Sequence, residues 1–226
     1  MARKVNVVDY DPNWKKQYKE EENKIKAILG DNCAGLYHIG STVIKGMKAE
    51  PIIDILVVVK KIHMADGKIQ EFLDAGYEYK GEYGVPGRRF YVKGAERPTC
   101  HIHMFDEKCP KDITRFFAVS NYLATHEEEC KAYENTKVSL AEQFAEDYDA
   151  YCKGKKEYID SLEEKAVEWQ LNQSKLGSYM AMGMSLGLAT GCAVGYVLSE
   201  MVLGMCIGIP VGLLLGMVVG RKKVGK

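Results

Sequence analysis

The sequence predicts an α+β domain joined to a pair of apolar helices, and three observations predict it. Runs rich in β-branched and aliphatic residues fall before position 106. From Asp112 onward the apolar residues recur instead at helical spacing. After Gln173 come two stretches of about twenty residues without charge, each long enough for a helix to cross a bilayer. Strands early and helices late imply helices packed on a small mixed sheet.

Taken in order, Val5 to Val8 reads as a short strand. Asp11 offers an N-cap and Pro12 a first helical position for a helix running to about Leu29, with Trp14, Tyr18, Ile25, Ile28 and Leu29 near one face. Ala34 to Ile39 and Ile52 to Val59 read as strands, the second apolar enough to be central. A modest helix is expected from Met64 to Ala75, ended by Gly76. Arg89 to Val92 and Cys100 to Phe105 read as further strands, separated by a turn over Gly94 to Pro98. The helical half begins with Ile113, Phe116, Phe117, Val119, Tyr122 and Leu123 as an apolar set. A second helix spans roughly Glu127 to Phe144, and a third Tyr148 to Gln170, with charges that suit a solvated outer face.

The expected organisation is a domain over 1–170, a linker over 171–178, membrane spans at 179–198 and 201–220, and a basic tail over 221–226. Only Ser199 and Glu200 separate the spans, which makes them a tight hairpin. Glycines fall at 183, 187, 191 and 195, then at 204, 208, 212, 216 and 220, one per helical turn. Such ladders let helix backbones approach closely in lipid, either within the hairpin or between copies of the chain. Arg221, Lys222 and Lys223 place their end in the cytoplasm, and two crossings return the N-terminal domain to that side. A hairpin buried in a soluble protein is the alternative.

Four basic residues and one acid follow Gly177, so the preceding part carries a small acidic excess. That disfavours nucleic acid as the main partner. The seven cysteines include no C-x-x-C pair, which argues against a disulfide framework or zinc ribbon and fits a reducing compartment. The N-terminus shows no apolar signal region.

Asp54 stands inside the apolar run Ile52 to Val59, and a buried carboxylate needs a cation, hydrogen bonds or a proton. It is therefore either a structural pairing residue or the anchor of a site. Upstream, His38-Ile39-Gly40-Ser41-Thr42 leaves a strand and enters a turn, where main-chain N–H groups and a hydroxyl can meet a phosphate. Lys45 and Lys48 lie between, in what is otherwise a solvated basic loop. His101-Ile102-His103 puts two imidazoles on one face of a strand. Two imidazoles and a carboxylate are competent ligands for a divalent metal, if the strands are neighbours. Arg88 and Arg89 could clamp a phosphate or be surface charge. His63, His126 and the cysteines are read as incidental or structural.

Together these residues resemble the GrpB family, a branch of the nucleotidyltransferase-like superfamily. The likeness covers roughly residues 5 to 167. It includes Tyr10-Asp11-Pro12 with Trp14, HIGST at 38 to 42, PIIDI at 51 to 55, Arg89-Phe90, HIH at 101 to 103, and Asn121-Tyr122-Leu123 with His126. Tyr133, Lys137, Leu140-Ala141, Phe144, Tyr151 and Lys156 extend it through the helical half. The resemblance implies a nucleotidyltransferase-type fold, in which a Gly-Ser turn holds a nucleotide triphosphate and carboxylates on the next strand bind magnesium. Gly40-Ser41 match the turn and Asp54 the second carboxylate, but Ile52 stands where the first would be. His101 and His103 fall near the place of a third. Glu50 also departs from the family, which commonly has Lys before this Pro.

The leading expectation is a membrane-anchored, cytoplasm-facing nucleotidyltransferase-like protein that binds a nucleotide or other phosphate-containing small molecule and, with a divalent metal, transfers a nucleotidyl group to an unknown acceptor. Asp54, His101 and His103 would serve catalysis and hold Mg2+ or Mn2+, or another transition metal given the imidazoles. His38, Gly40, Ser41, Thr42, Lys48 and Arg89 would hold the phosphate ligand. A binding module without catalysis is the second reading, favoured by Ile52. A membrane oligomer built on the glycine zipper is the third.

Overall fold

The computed structural model describes residues 4–224. They divide at Val167/Glu168 into two compact units.

The first unit is built on a five-stranded sheet. Its strands are β1 (Cys33–Ile39), β2 (Ile53–Val59), β3 (Tyr77–Tyr79), β4 (Arg89–Lys93) and β5 (Cys100–Asp106), in the order β1-β2-β5-β4-β3. The β2–β5 pair is parallel and the others antiparallel, so the expected mixed sheet is present. Because side chains alternate across a strand, the two faces read directly from the sequence. Ile53, Ile55, Val57, Val59, Ile102 and Met104 pack in one core with Trp14, Tyr18, Ile25 and Leu29 of α1 (Trp14–Leu29). Leu56, Val58 and Phe105 face the other way, with Ile39, and pack against Ile113, Phe116 and Phe117 of α4 (Pro110–Thr125). Asp54, His101 and His103 share the parity of that second face.

Between β2 and β3 the single expected helix is two short ones, α2 (Ile62–Asp66) and α3 (Ile69–Asp74), interrupted around Gly67. Near the N-terminus the expected strand is a lone bridge between Val8 and Ala49. Strand β3 is short and sits between Gly76 and Gly81, too little chain to show alternation. The helical half continues with α5 (Glu127–Gln143) and α6 (Tyr148–Val197). Residues 171–178, expected as a linker, are helical.

In the second unit, α6 is followed by a turn in which Ser199 takes a positive φ of 58°, and then by α7 (Met201–Val224). Both helices are long and apolar enough to cross a membrane. The two glycine ladders face each other within this hairpin. A Cβ at Gly183, Gly187 or Gly191 would lie within 2.3 Å of a main-chain oxygen of Gly212, Gly208 or Gly204. The outward face is apolar instead: Val197 is 79 % exposed, Val202 74 % and Leu215 61 %. An inner seam of glycine under an outer apolar coat suits lipid rather than a water-soluble core.

Candidate functional site

The register of β2 against β5 builds the centre of the site. Asp54 lies directly opposite His101 and Leu56 opposite His103. Parity then turns the carboxylate and both imidazoles to one face. His101 Nδ1 donates to Asp54 Oδ1 at 3.2 Å, and His103 Nε2 lies 3.5 Å from the same oxygen. Burial works against charge on Asp54, but the hydrogen bonds from His101 and then His103 outweigh it, holding the carboxyl well below the usual carboxylate range. The Asp54 side chain still keeps 30 % of its accessibility, all that a carboxylate set on a cavity wall needs to meet a ligand.

Burial also pushes the His103 imidazole down, against the pull of Asp54 and with Arg88 and His101 adding to the effect. Arg88 Nη1 lies 3.1 Å from His103 Nδ1. A guanidinium can only donate, so Nδ1 accepts and the neutral ring carries its proton on Nε2, facing Asp54. Arg88 itself is 6 % exposed and is held by the Glu82 and Tyr83 carbonyls and the Phe90 ring.

These protonation states bear on the expected metal set. Both ring nitrogens nearest Asp54 donate to it, so neither directs a lone pair at a cation shared with the carboxylate. Among the described residues no group of three His, Cys, Asp or Glu side chains is disposed to hold a metal ion. In the arrangement of Asp54, His101 and His103 the three side chains bond one another. It fits a hydrogen-bonded triad in which an ionised carboxylate orients two rings, and in the neutral His101 ring Nε2 is the basic atom.

A cavity of about 250 Å³ opens over Asp54, lined also by His101, His103, Gly40, Ser41 and Thr42. Gly40 has φ 76° and ψ −163°, and a Cβ there would stand 2.6 Å from Asp54 Oδ2. Its N–H is already given to Ser120 Oγ at 2.8 Å. Thr42 is 3 % exposed and bonds the Ile52 carbonyl and His38 Nε2, so it fixes the turn.

Three expected ligand-binding residues are placed elsewhere. His38 pairs with Ile55 across β1–β2, which turns it to the opposite face from Asp54, where it stacks on Tyr18. Burial pushes this imidazole down to about 4, opposed by Asp54. Arg89 forms a two-pronged ion pair with Asp66 at 2.6 and 2.9 Å, and its neighbour Arg88 is the one at the site. Lys48 directs Nζ to Asp9 at 2.6 Å; only its main chain reaches the helical half, its N–H donating to Glu134 at 2.7 Å.

The helical half supplies groups that sequence reasoning missed. Tyr133 and Lys137 from α5 and Lys155 and Glu163 from α6 line the cavity with Arg115 and Glu50. Glu50 pairs with Lys155, and Glu163 with Arg115 at 2.8 Å. Helical spacing from Tyr133 to Lys137 puts both on one face, and with their part in the family likeness that is the signal in the sequence for this wall.

A family model described as GrpB protein matches residues 4–165. The chain belongs to the GrpB family. The UPF0157 protein YqkA of Bacillus subtilis is 36 % identical over 168 residues, covering 74 % of this chain and 49 % of YqkA, so the chain spans about half of that relative. The glutamate-rich protein GrpB of Alkalihalophilus pseudofirmus is 29 % identical over 70 % of this chain and 93 % of its own length. A crystal structure of GrpB from Enterococcus faecalis superposes with a TM-score of 0.69 at 37 % identity, covering 72 % of this chain and 98 % of that one. A second model, described as Glycine zipper membrane protein, matches residues 173–222. The GrpB match ends before the ladders begin, so the glycine-zipper tail is an addition to the GrpB domain.

Proposed function

We propose that the GrpB domain binds a phosphate-containing small molecule of the nucleotide class in the cavity over Asp54. The observation that carries this reading is the convergence of Asp54, His101, His103 and the Gly40–Ser41 turn on one hollow that also holds buried cations. The zipper hairpin would tether the domain to a membrane, and Arg221 to Lys223 favour the cytoplasmic side.

Nucleotidyl transfer is the second reading, favoured by the contact between Asp54 Oδ1 and His101 Nδ1. In that reading His101 Nε2 takes the proton of an acceptor hydroxyl as its oxygen bonds to the α-phosphorus, and pyrophosphate leaves. Asp54 orients the ring and stabilises the imidazolium that forms. A divalent metal, if bound, would be held by Asp54 with His101 or His103 and would supply charge stabilisation at the phosphate.

Incubation of the full chain with labelled nucleotides, with added Mg2+ or Mn2+ and with chelator, separates the readings. Saturable binding without product supports the binding module. Product formation lost in Asp54→Ala supports transfer. Absence of binding by every nucleotide tried would sink both.

A further inference from the structure

Lys137 is 2 % exposed, yet lines the cavity. Its Nζ donates to the Lys48 carbonyl at 2.5 Å and lies 4.6 Å over the Tyr133 ring. The other lining charges have partners: Lys155 pairs with Glu50, Arg115 with Glu163, and the Asp54 carboxylate accepts from its two imidazoles. Lys137 makes no ion pair among the described residues. Burial, with Lys155 adding to it, pushes its amine down to about 8 against the pull of Glu134 and Glu50. Burying an ammonium without a counter-ion is costly, and an anion in the cavity would remove that cost. The carbonyl and the ring hold the amine in place but supply no negative charge.

We propose that Lys137, with Tyr133 beside it and Ser41 on the lining of the same cavity, is the anion subsite and takes a phosphate group of the ligand. The proposal rests on the nucleotide-class reading and deepens it, because it assigns the phosphate to the helical wall rather than to Lys48 or Arg89. A phosphate there accepts charge-assisted hydrogen bonds from Nζ and from the hydroxyls. The rest of the ligand then extends across the floor toward Asp54 and His101.

The test is calorimetric titration of the full chain in phosphatidylcholine nanodiscs with pyrophosphate, and separately with the four ribonucleoside triphosphates. The variants are Lys137→Met, which keeps the length of the side chain, and Ser41→Ala. Both classes of probe are expected to bind the wild type and to bind Lys137→Met about tenfold or more weakly. If pyrophosphate behaves so but no nucleotide binds, the subsite stands and the nucleotide reading falls. If nucleotides bind the wild type and Lys137→Met equally well, the subsite is overturned and the function reading survives. Binding of neither probe overturns both. Should Lys137→Met fail to fold, Ser41→Ala is read by the same rule, and unchanged affinity there overturns the subsite.

Discussion

Gly40 lies so close to Asp54 that a methyl group at its Cα would stand 2.6 Å from Oδ2. The contact fixes the carboxylate from the side opposite the imidazoles. The Gly40 backbone also occupies a region that is essentially glycine-only. Gly40→Ala is therefore expected to destabilise the fold by about 1–3 kcal/mol and to displace Asp54. Denaturant unfolding together with nucleotide titration checks this. Unchanged stability and binding would show that the turn does not position the carboxylate.

Arg88 is expected to set the tautomer of His103. In the wild type the ring should carry its neutral-state proton on Nε2 alone. Arg88→Met removes a donor to Nδ1 and a cation that depresses the ring, so the His103 pKa should rise and the tautomers should mix. Long-range proton–nitrogen spectra of histidine-labelled protein read both effects. Identical nitrogen shifts in the two proteins would refute the assignment.

His38 is expected to make the domain sensitive to acid. Its folded-state value of about 4 lies below the ordinary 6.5, so as pH falls the unfolded chain takes the proton first. The stability tied to His38 is full above 6.5 and lost progressively down to about 4. Comparing denaturation at pH 7 and 4.5, His38→Gln should lose less stability than the wild type, by on the order of 1–3 kcal/mol. An equal loss in both proteins would contradict the buried neutral ring.

Glu50 and Lys155 form a largely buried pair that lines the same cavity as Lys137. Glu50→Gln leaves Lys155 without its carboxylate partner in a wall that also carries Lys137. The expected cost is about 3–5 kcal/mol, the range for breaking a buried pair from one side. Thermal unfolding measures it, and a change within error would place the pair in solvent.

The hairpin depends on glycine at the seam. A Cβ at Gly208 would lie 2.2 Å from the Gly187 oxygen and 2.8 Å from the Gly191 Cα. Gly208→Leu should force α6 and α7 apart, seen as a longer spin-label distance across the hairpin in nanodiscs. Leu214→Ala, on the exposed face, should leave that distance unchanged.

Much of the site was legible because its signals are local. An aspartate within an aliphatic run and two histidines at strand spacing mark a face without any knowledge of partners. The misplaced residues share a different cause. His38 is one position out of phase with Ile39, and its face follows from the β1–β2 register, which no local pattern specifies. Arg88 and Arg89 are adjacent, and the choice between them turned on where Asp66 lies. Lys137 and Lys155 look like ordinary helix-surface lysines until the wall they form is seen.

Apart from the first strand, the divided helix before β3 and β3 itself, the sequence by itself determined the order of elements, together with the α+β class and the glycine seam of the tail, since hydrophobic period and glycine spacing act over a few residues. Tertiary structure alone decided which charges share a cavity and which nitrogen carries each proton. Those depend on groups brought together from 15 to 105 residues away, where burial and a neighbour's charge, not the chain's local preferences, set the energy.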